Sequence, residues 1–467
     1  MRNNYSSIEL QNANSNPPDK DRAAKLSLFH EDFTHESDEY PLINGDFNKA
    51  STEGSGVPGA VFNLATSIIG AGIMALPATM KVLGVGVGLI SIVIMGILSE
   101  ISIELLVRFS VYCKSTSYGH LVQSALNKPF RIVSEVCIII NNAGILVVYL
   151  IIIGDVMSGS PKHEGVLDQL FGSGIWENRK LVIFIVLVLF LAPLCALEKI
   201  DSLSLTSAAS VILAVIFVAV SGVIAFVKLL MGKISAPRMG PDFGSKTALL
   251  DLLVVIPIMT NAYVCHFNVQ PIYNELKEKT PKRMYKVGRI TTLLCVVVYA
   301  STAVSGYLLF GDDTESDVLT NFDKDLGINY SSILNFIVRI GYVLHLVLVF
   351  PVIHFSLRQT VDSLVFDPSK PSSRKRVLGL TFVLLAIVYL GSTFIPNIWI
   401  AFKFTGATTG LALGFMFPSL VALRLDKHGK CLTNVERYLS FTMLVLAIIV
   451  SVIGVAGNIY SLKNKSE

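Results

Sequence analysis

The stretch GAVFNLATSIIGAGIMALP, Gly59 to Pro77, opens the first long apolar segment of the chain and decides how the rest is read. It is hydrophobic enough for a membrane, yet Gly70, Gly72 and Pro77 stand where an unbroken helix would not place them. In a helix interior glycine costs about 1 kcal/mol and proline about 3 kcal/mol relative to alanine. Lipid tolerates broken backbone only where it is buried in protein or lines a cavity. A spanning segment with this weakness implies a ligand site near mid-membrane.

Composition agrees with a membrane setting. Of 467 residues, 52% are hydrophobic and 15% charged, and the mean hydropathy is +0.62; soluble domains carry roughly 25% charged residues. Apolar runs of about 20 residues match the hydrocarbon thickness of a bilayer. The expected class is an all-α polytopic membrane protein with about eleven transmembrane helices. The spans are read at 58–83, 85–112, 132–157, 180–197, 203–231, 249–273, 287–310, 331–357, 377–395, 398–423 and 438–460. A short surface helix is expected between 161 and 178. The net charge of +4 identifies no partner beyond the lipid bilayer, and nucleic acid is not expected.

Residues 1–56 are polar, net acidic and without apolar periodicity, so a disordered cytosolic tail is expected there and a secretory signal is not. Within it DEYPLI places Asp38 four positions before Leu42 and Ile43. That spacing resembles the acidic dileucine signals that sorting adaptors read for lysosome or vacuole; chance is the alternative for so short a match.

Lysine and arginine in short loops orient the spans. The loops at 275–289, 358–376 and 424–437 are basic and fall on one side, whereas 311–330 is acidic and falls on the other. The amino terminus is therefore expected in the cytosol and the carboxyl terminus opposite. Lys233, Arg238 and Lys246 run against this map. The sequon Asn329-Tyr330-Ser331 lands on the non-cytosolic side, as glycosylation requires. The six cysteines fall in spans or on the cytosolic side, where no exterior disulfide forms, and they show no metal-ligand spacing.

A second interrupted segment, PIMTNAYVCHFNVQP from Pro257 to Pro271, flanks a polar centre with two prolines. It lies five spans after the first. Paired interruptions at matching places in two halves point to an inverted-repeat secondary transporter. Five spans are odd in number, so the second copy is inverted. The expected domains are repeats at about 58–231 and 249–423 and an accessory helix at about 438–460, making a transporter domain over 57–460, and then a short tail at 461–467. Unwinding near Ser67 to Ile73 frees amides that suit a carboxylate, and freed carbonyls suit an ammonium. An α-amino acid carries both groups at a fixed short distance.

The opening stretch and CHFNVQPIYNEL, Cys265 to Leu276, together resemble the amino acid/auxin permease family. The likeness is greatest to plant and fungal vacuolar amino acid transporters and to animal sodium-coupled neutral amino acid transporters, and it runs from about residue 55 to 460. It implies a five-plus-five inverted-repeat, LeuT-like fold with substrate held between broken first and sixth spans. Substrate contacts are expected at Thr66, Ser67, Gly70, Ala71, Gly72, Thr260, Asn261 and Tyr263. Where the sodium-coupled members carry an asparagine this chain has Thr66, and His345 to Phe350 lacks their eighth-span hydroxyl. Both departures favour a proton gradient over sodium. No cofactor is expected.

Three groups are candidates for proton coupling: His266, His345 and Glu100. Glu100, Glu104 and Arg108 share one helix face and fit either a relay or a structural ion pair. Arg339 and Lys403 fit either counter-ions or snorkelling side chains. Gly84, Gly86 and Gly88 read as a tight turn with close helix packing. No nucleophile–base pair or metal set suggests an enzyme. Three functions remain: a secondary transporter for amino acids, neutral and also acidic, moving them from vacuole to cytosol with protons; a sodium-coupled amino acid symporter of the plasma membrane; or an amino acid sensor acting through its tail.

Overall fold

In the computed structural model, residues 55–160, 163–197, 204–244, 246–366, 373–395, 397–429 and 432–466 are described. The sorting motif at Asp38, Leu42 and Ile43 lies outside them, as does nearly all of the expected tail.

The described chain begins with a clamp. The Ser55 N–H donates to the Glu275 carbonyl at 2.9 Å, and the Lys277 N–H donates back to the Ser55 carbonyl at 3.0 Å. Next come α1 (Val57–Ile68) and α2 (Gly72–Leu83), bent by 58° at the intervening glycine-rich turn. Pro58 sits in the first turn of α1, where its missing N–H is not needed.

Gly84 turns the chain into α3 (Val85–Tyr112) with φ of +75°, and a Cβ there would fall 2.5 Å from the Gly240 nitrogen. The next amides, Val85 and Gly86, donate to the Arg238 and Met239 carbonyls. The expected tight turn is thus also a seat for the loop after residue 231.

Then follow α4 (Tyr118–Ala125), α5 (Lys128–Ser158), a hairpin of β1 (Gly159–Ser160) with β2 (His163–Glu164), and the short α6 (Val166–Phe171). After α7 (Arg179–Val186) and α8 (Ala192–Cys195) come α9 (Ser204–Leu230), α10 (Lys246–Tyr263), α11 (His266–Glu275), α12 (Pro281–Phe310) and α13 (Ser331–Val365). The chain closes with α14 (Arg374–Phe394), α15 (Ile398–Thr405), α16 (Phe417–Gly429) and α17 (Asn434–Ser466). Two π-helical turns, Gly406–Gly410 and Ala412–Met416, lie between α15 and α16.

Among the described residues, nine helices are long and apolar enough to cross a membrane, or ten if α1 and α2 form one span. The reading of about eleven differs at the fourth. There α7, a π-helical Leu187–Leu191 and α8 contribute eight, five and four residues. Together they make a helical run of seventeen residues, at the short end of the roughly 17–25 that cross a bilayer.

The broken helices cross in opposite senses: α10 packs on α2, and α11 packs on α1. The first half of one therefore meets the last half of the other. Behind both, α12 runs along α1 and α2. Leu64, Ile73, Met74, Ile258 and Phe350 fill the centre, whereas Ile90, Ile94 and Ile97 of α3 face outward, as lipid-facing side chains do.

The basic residues after Met231 have partners on the acidic loop. Lys233 donates to the Gly327 carbonyl at 2.9 Å, and Arg238 reaches the Lys81 carbonyl at 2.8 Å and Asp312 at 3.5 Å. Of these contacts, Arg238 with Asp312 is the ion pair.

Candidate substrate site at the paired helix breaks

The first break lies in the core, with Ile69 and Ala71 buried. Ile69 ends α1 in an extended conformation, and α2 starts from Ala71 with no side-chain cap. The Ile73 and Met74 amides donate to the Gly70 and Ala71 carbonyls, and the positive end of the α2 dipole lies at the turn. In the second break Val264 and Cys265 separate α10 from α11. Pro257 lies inside α10 and Pro271 inside α11.

Three tyrosines organise the junction. The Tyr299 hydroxyl on α12 lies 2.6 Å from the Ile68 carbonyl and 2.7 Å from the Ala262 carbonyl, so one group reaches both breaks. With a single proton it satisfies one carbonyl at a time. Tyr342 on α13 donates to the Gly70 carbonyl at 2.7 Å. Tyr149 on α5 rests against Gly70, where an added Cβ would fall 2.2 Å from its hydroxyl oxygen. A Cβ on Gly72 would fall 2.9 Å from Ala262 Cα, backbone against backbone. At Gly72 glycine is needed for the two breaks to approach, whereas at Gly70 it makes room for the Tyr149 hydroxyl.

The sequence-predicted site residues divide into two sets. Gly70, Ala71 and Gly72 make the first break, and Gly72 lies against Ala262 of the second. Thr66 is fully buried, but its hydroxyl donates to the Ser207 carbonyl on α9 at 3.2 Å. Thr260 bonds its own helix at the Ile256 carbonyl, and Tyr263 donates to the Ile92 carbonyl on α3. The Asn261 amide turns to Thr405 on α15 at 3.1 Å.

Ser67 lies one turn from the break. It accepts from the Asn268 amide at 2.9 Å, while Ser356 on α13 donates to the Asn268 Oδ1 at 2.7 Å. This chain lines a cavity of about 40 Å³, with Asn63, Ser207 and Gln359 also on its wall. It has room for water-sized groups, not for an amino acid. Ser207 and Ser356 were missed because isolated serines in apolar helices commonly bond their own backbone.

His345 is fully buried, and its Nδ1 lies 2.7 Å from the Ser210 carbonyl. Its ring lies 4.8 Å from that of Tyr342, which puts it beside the first break. His266 is also buried, edge-on to Phe415 at 6.4 Å. Glu100 and Glu104 do not pair with Arg108. Arg289 of α12 bridges both, at 3.3 and 2.8 Å, and Arg108 reaches Glu436 at 2.7 Å. Nor does Arg339 snorkel: it is 1% exposed and donates to the Gln169 side chain and to the Val156 and Glu164 carbonyls. Lys403 lies over the Trp399 ring. Asn329 is exposed just before α13.

Residues 53–462 match the family described as transmembrane amino acid transporter protein. The chain is 68% identical over 431 residues to Amino acid transporter AVT6E of Arabidopsis thaliana, covering 92% of this chain and 88% of that one. It is 46% identical to Amino acid transporter AVT6A of the same plant, over 91% and 92% of the two chains. In structure it is similar to a Na+-coupled sialic acid symporter in a substrate-bound outward-open state. The TM-score is 0.54 at 12% identity, over 92% of this chain and 95% of the other.

Proposed function

The chain belongs to the transmembrane amino acid transporter family, and from that premise we propose that it carries neutral and acidic amino acids out of the vacuole into the cytosol, with protons moving alongside. The observation that carries this reading is the Tyr299 hydroxyl shared between the Ile68 and Ala262 carbonyls. An arriving ammonium replaces that hydroxyl, and the amides at the start of α2 take the carboxylate. Substrate binding thereby reorganises both broken helices at once, which is what alternating access needs.

Coupling is assigned to His345, because it touches both α9 and the Tyr342 that caps Gly70. Glu100 is held by Arg289, whereas His266 opens α11 directly after the second break and packs edge-on to Phe415. The amino terminus is cytosolic in this scheme, and the cavity at Ser67, Asn268 and Ser356 is the start of the cytosolic exit.

The test is uptake by purified protein in liposomes across an amino acid panel, with pH and sodium varied separately. Uptake driven by an acid-outside gradient and unchanged by sodium is expected. Sodium-driven, pH-indifferent uptake overturns the coupling. Substrate binding without any flux instead favours a sensor. His345→Gln should lose gradient-driven uptake but keep exchange of labelled for unlabelled substrate.

A further inference from the structure

The α12 helix carries one outward stripe from its first turn to its middle. Lys282, Lys286, Arg289, Leu293 and Val297 recur at spacings of four, three, four and four, which keeps them on one face. Leu293 and Val297 are 67% and 55% exposed, as lipid-facing side chains are. Lys282, Lys286 and Arg289 are exposed as well. The apolar stripe thus runs directly into a basic one, as happens where hydrocarbon gives way to headgroups.

The segment before α12 adds Lys277 and Lys279, both exposed, on a backbone that is fixed beside each. The Lys277 N–H donates to the Ser55 carbonyl at 3.0 Å, and the Tyr273 hydroxyl donates to the Lys279 carbonyl at 3.1 Å. The Thr280 side chain then caps α12 by accepting from the Arg283 N–H. Nearby carboxylates are already engaged. Glu278 meets Arg283 at 2.6 Å, Glu100 and Glu104 meet Arg289 at 3.3 and 2.8 Å, and Glu275 lines the Ser67–Asn268 cavity. Among the described residues, none of Lys277, Lys279, Lys282 and Lys286 has an ion-pair partner. The orientation rule asks only for positive charge in the loop. It does not ask for four unpaired ammonium groups held on fixed backbone at the end of a lipid-facing stripe.

We propose that Lys277, Lys279, Lys282 and Lys286 form a docking surface for the anionic phospholipid headgroups of the leaflet at this end of the bundle. Each lysine brings a compact charge and three N–H donors to phosphate oxygens. Four such groups beside a span are enough to draw anionic lipid. The acyl chains of the same lipids lie along Leu293 and Val297. A soluble anion lacks that second contact, which is why the occupant is a lipid. The segment joins the exit of α11 to the start of α12, so a bound headgroup holds the end of the broken helix that Ser55 also clamps.

Phosphatidylserine and phosphatidylcholine carrying nitroxide labels are the probes. The share of each that the full-length protein immobilises in liposomes is read by electron spin resonance. Phosphatidylserine is expected to be favoured about fivefold at low salt. Lys277→Gln, Lys279→Gln, Lys282→Gln and Lys286→Gln together should bring the preference to parity, and Lys282→Gln with Lys286→Gln should already lower it about twofold. Arg424→Gln with Lys427→Gln, in another basic loop on the same side, should leave it unchanged. Melting measurements establish that each variant is folded. Parity in the parent, a preference kept by the folded lysine variants, an equal loss in the Arg424 and Lys427 variant, or competition by soluble glycerophosphoserine would each overturn the proposal. Amino acid uptake is measured separately, so failure of this surface leaves the transport reading standing.

Discussion

The Tyr342 hydroxyl donates to the Gly70 carbonyl across 2.7 Å, closing an acceptor at the turn where α1 gives way to α2. Tyr342→Phe leaves that carbonyl buried with a weaker complement. A loss of about 1–3 kcal/mol of stability is expected. Saturating substrate should then raise the melting temperature of the variant more than that of the parent. An equal rise would mean that no substrate group reaches Gly70.

The two glycines should differ in how they respond to alanine. At Gly70 the new methyl meets the tip of Tyr149, so Gly70→Ala should recover much of its transport when Tyr149→Phe removes that oxygen. At Gly72 the obstacle is the Ala262 backbone. Gly72→Ala should lose transport with no such rescue, while surface delivery stays unchanged. Equal rescue at both would show that the breaks are not held by backbone contact.

Asp317, in the loop before the Val318–Asp323 turn, is 4% exposed, and burial pushes its carboxyl up to about 8. The folded protein holds a proton there that the unfolded chain releases near pH 4. Stability is therefore fullest at acid pH and falls as pH rises from about 4 toward 8. Melting temperatures between pH 5 and 8 should show this slope, and Asp317→Asn should flatten it. An unchanged slope would assign the dependence to other groups.

Arg339 spreads its guanidinium over three acceptors, from Gln169, Val156 and Glu164. Lysine keeps the charge but cannot reproduce that fork. Arg339→Lys should cost roughly 2–3 kcal/mol, read as an earlier thermal transition with the β1–β2 hairpin newly open to proteolysis.

Much of this arrangement was legible in advance. Gly70, Gly72, Pro257 and Pro271 marked the breaks because glycine and proline are costly inside helices. Gly84 to Gly88 marked a turn for a related reason. The tyrosine caps were not legible: Tyr149, Tyr299 and Tyr342 sit on otherwise apolar helices, where an aromatic ring reads as packing. Only the three-dimensional meeting of α5, α12 and α13 turns their hydroxyls inward. The fourth span stands apart from the others because the π turn at Leu187–Leu191 and the short α8 break up its regular helix, which composition does not register. Arg339 was misplaced because its acceptors lie on α5, β2 and α6, far from it in sequence.

The Ser55 clamp has a mechanical meaning. It staples the entrance of α1 to the exit of α11 with two main-chain hydrogen bonds, whose rupture costs about 0.5–1.5 kcal/mol each. Those two half-helices are therefore tied together at that end, so that a displacement of one draws on the other. Any pull on the residues before Ser55 is delivered to both breaks at the same instant.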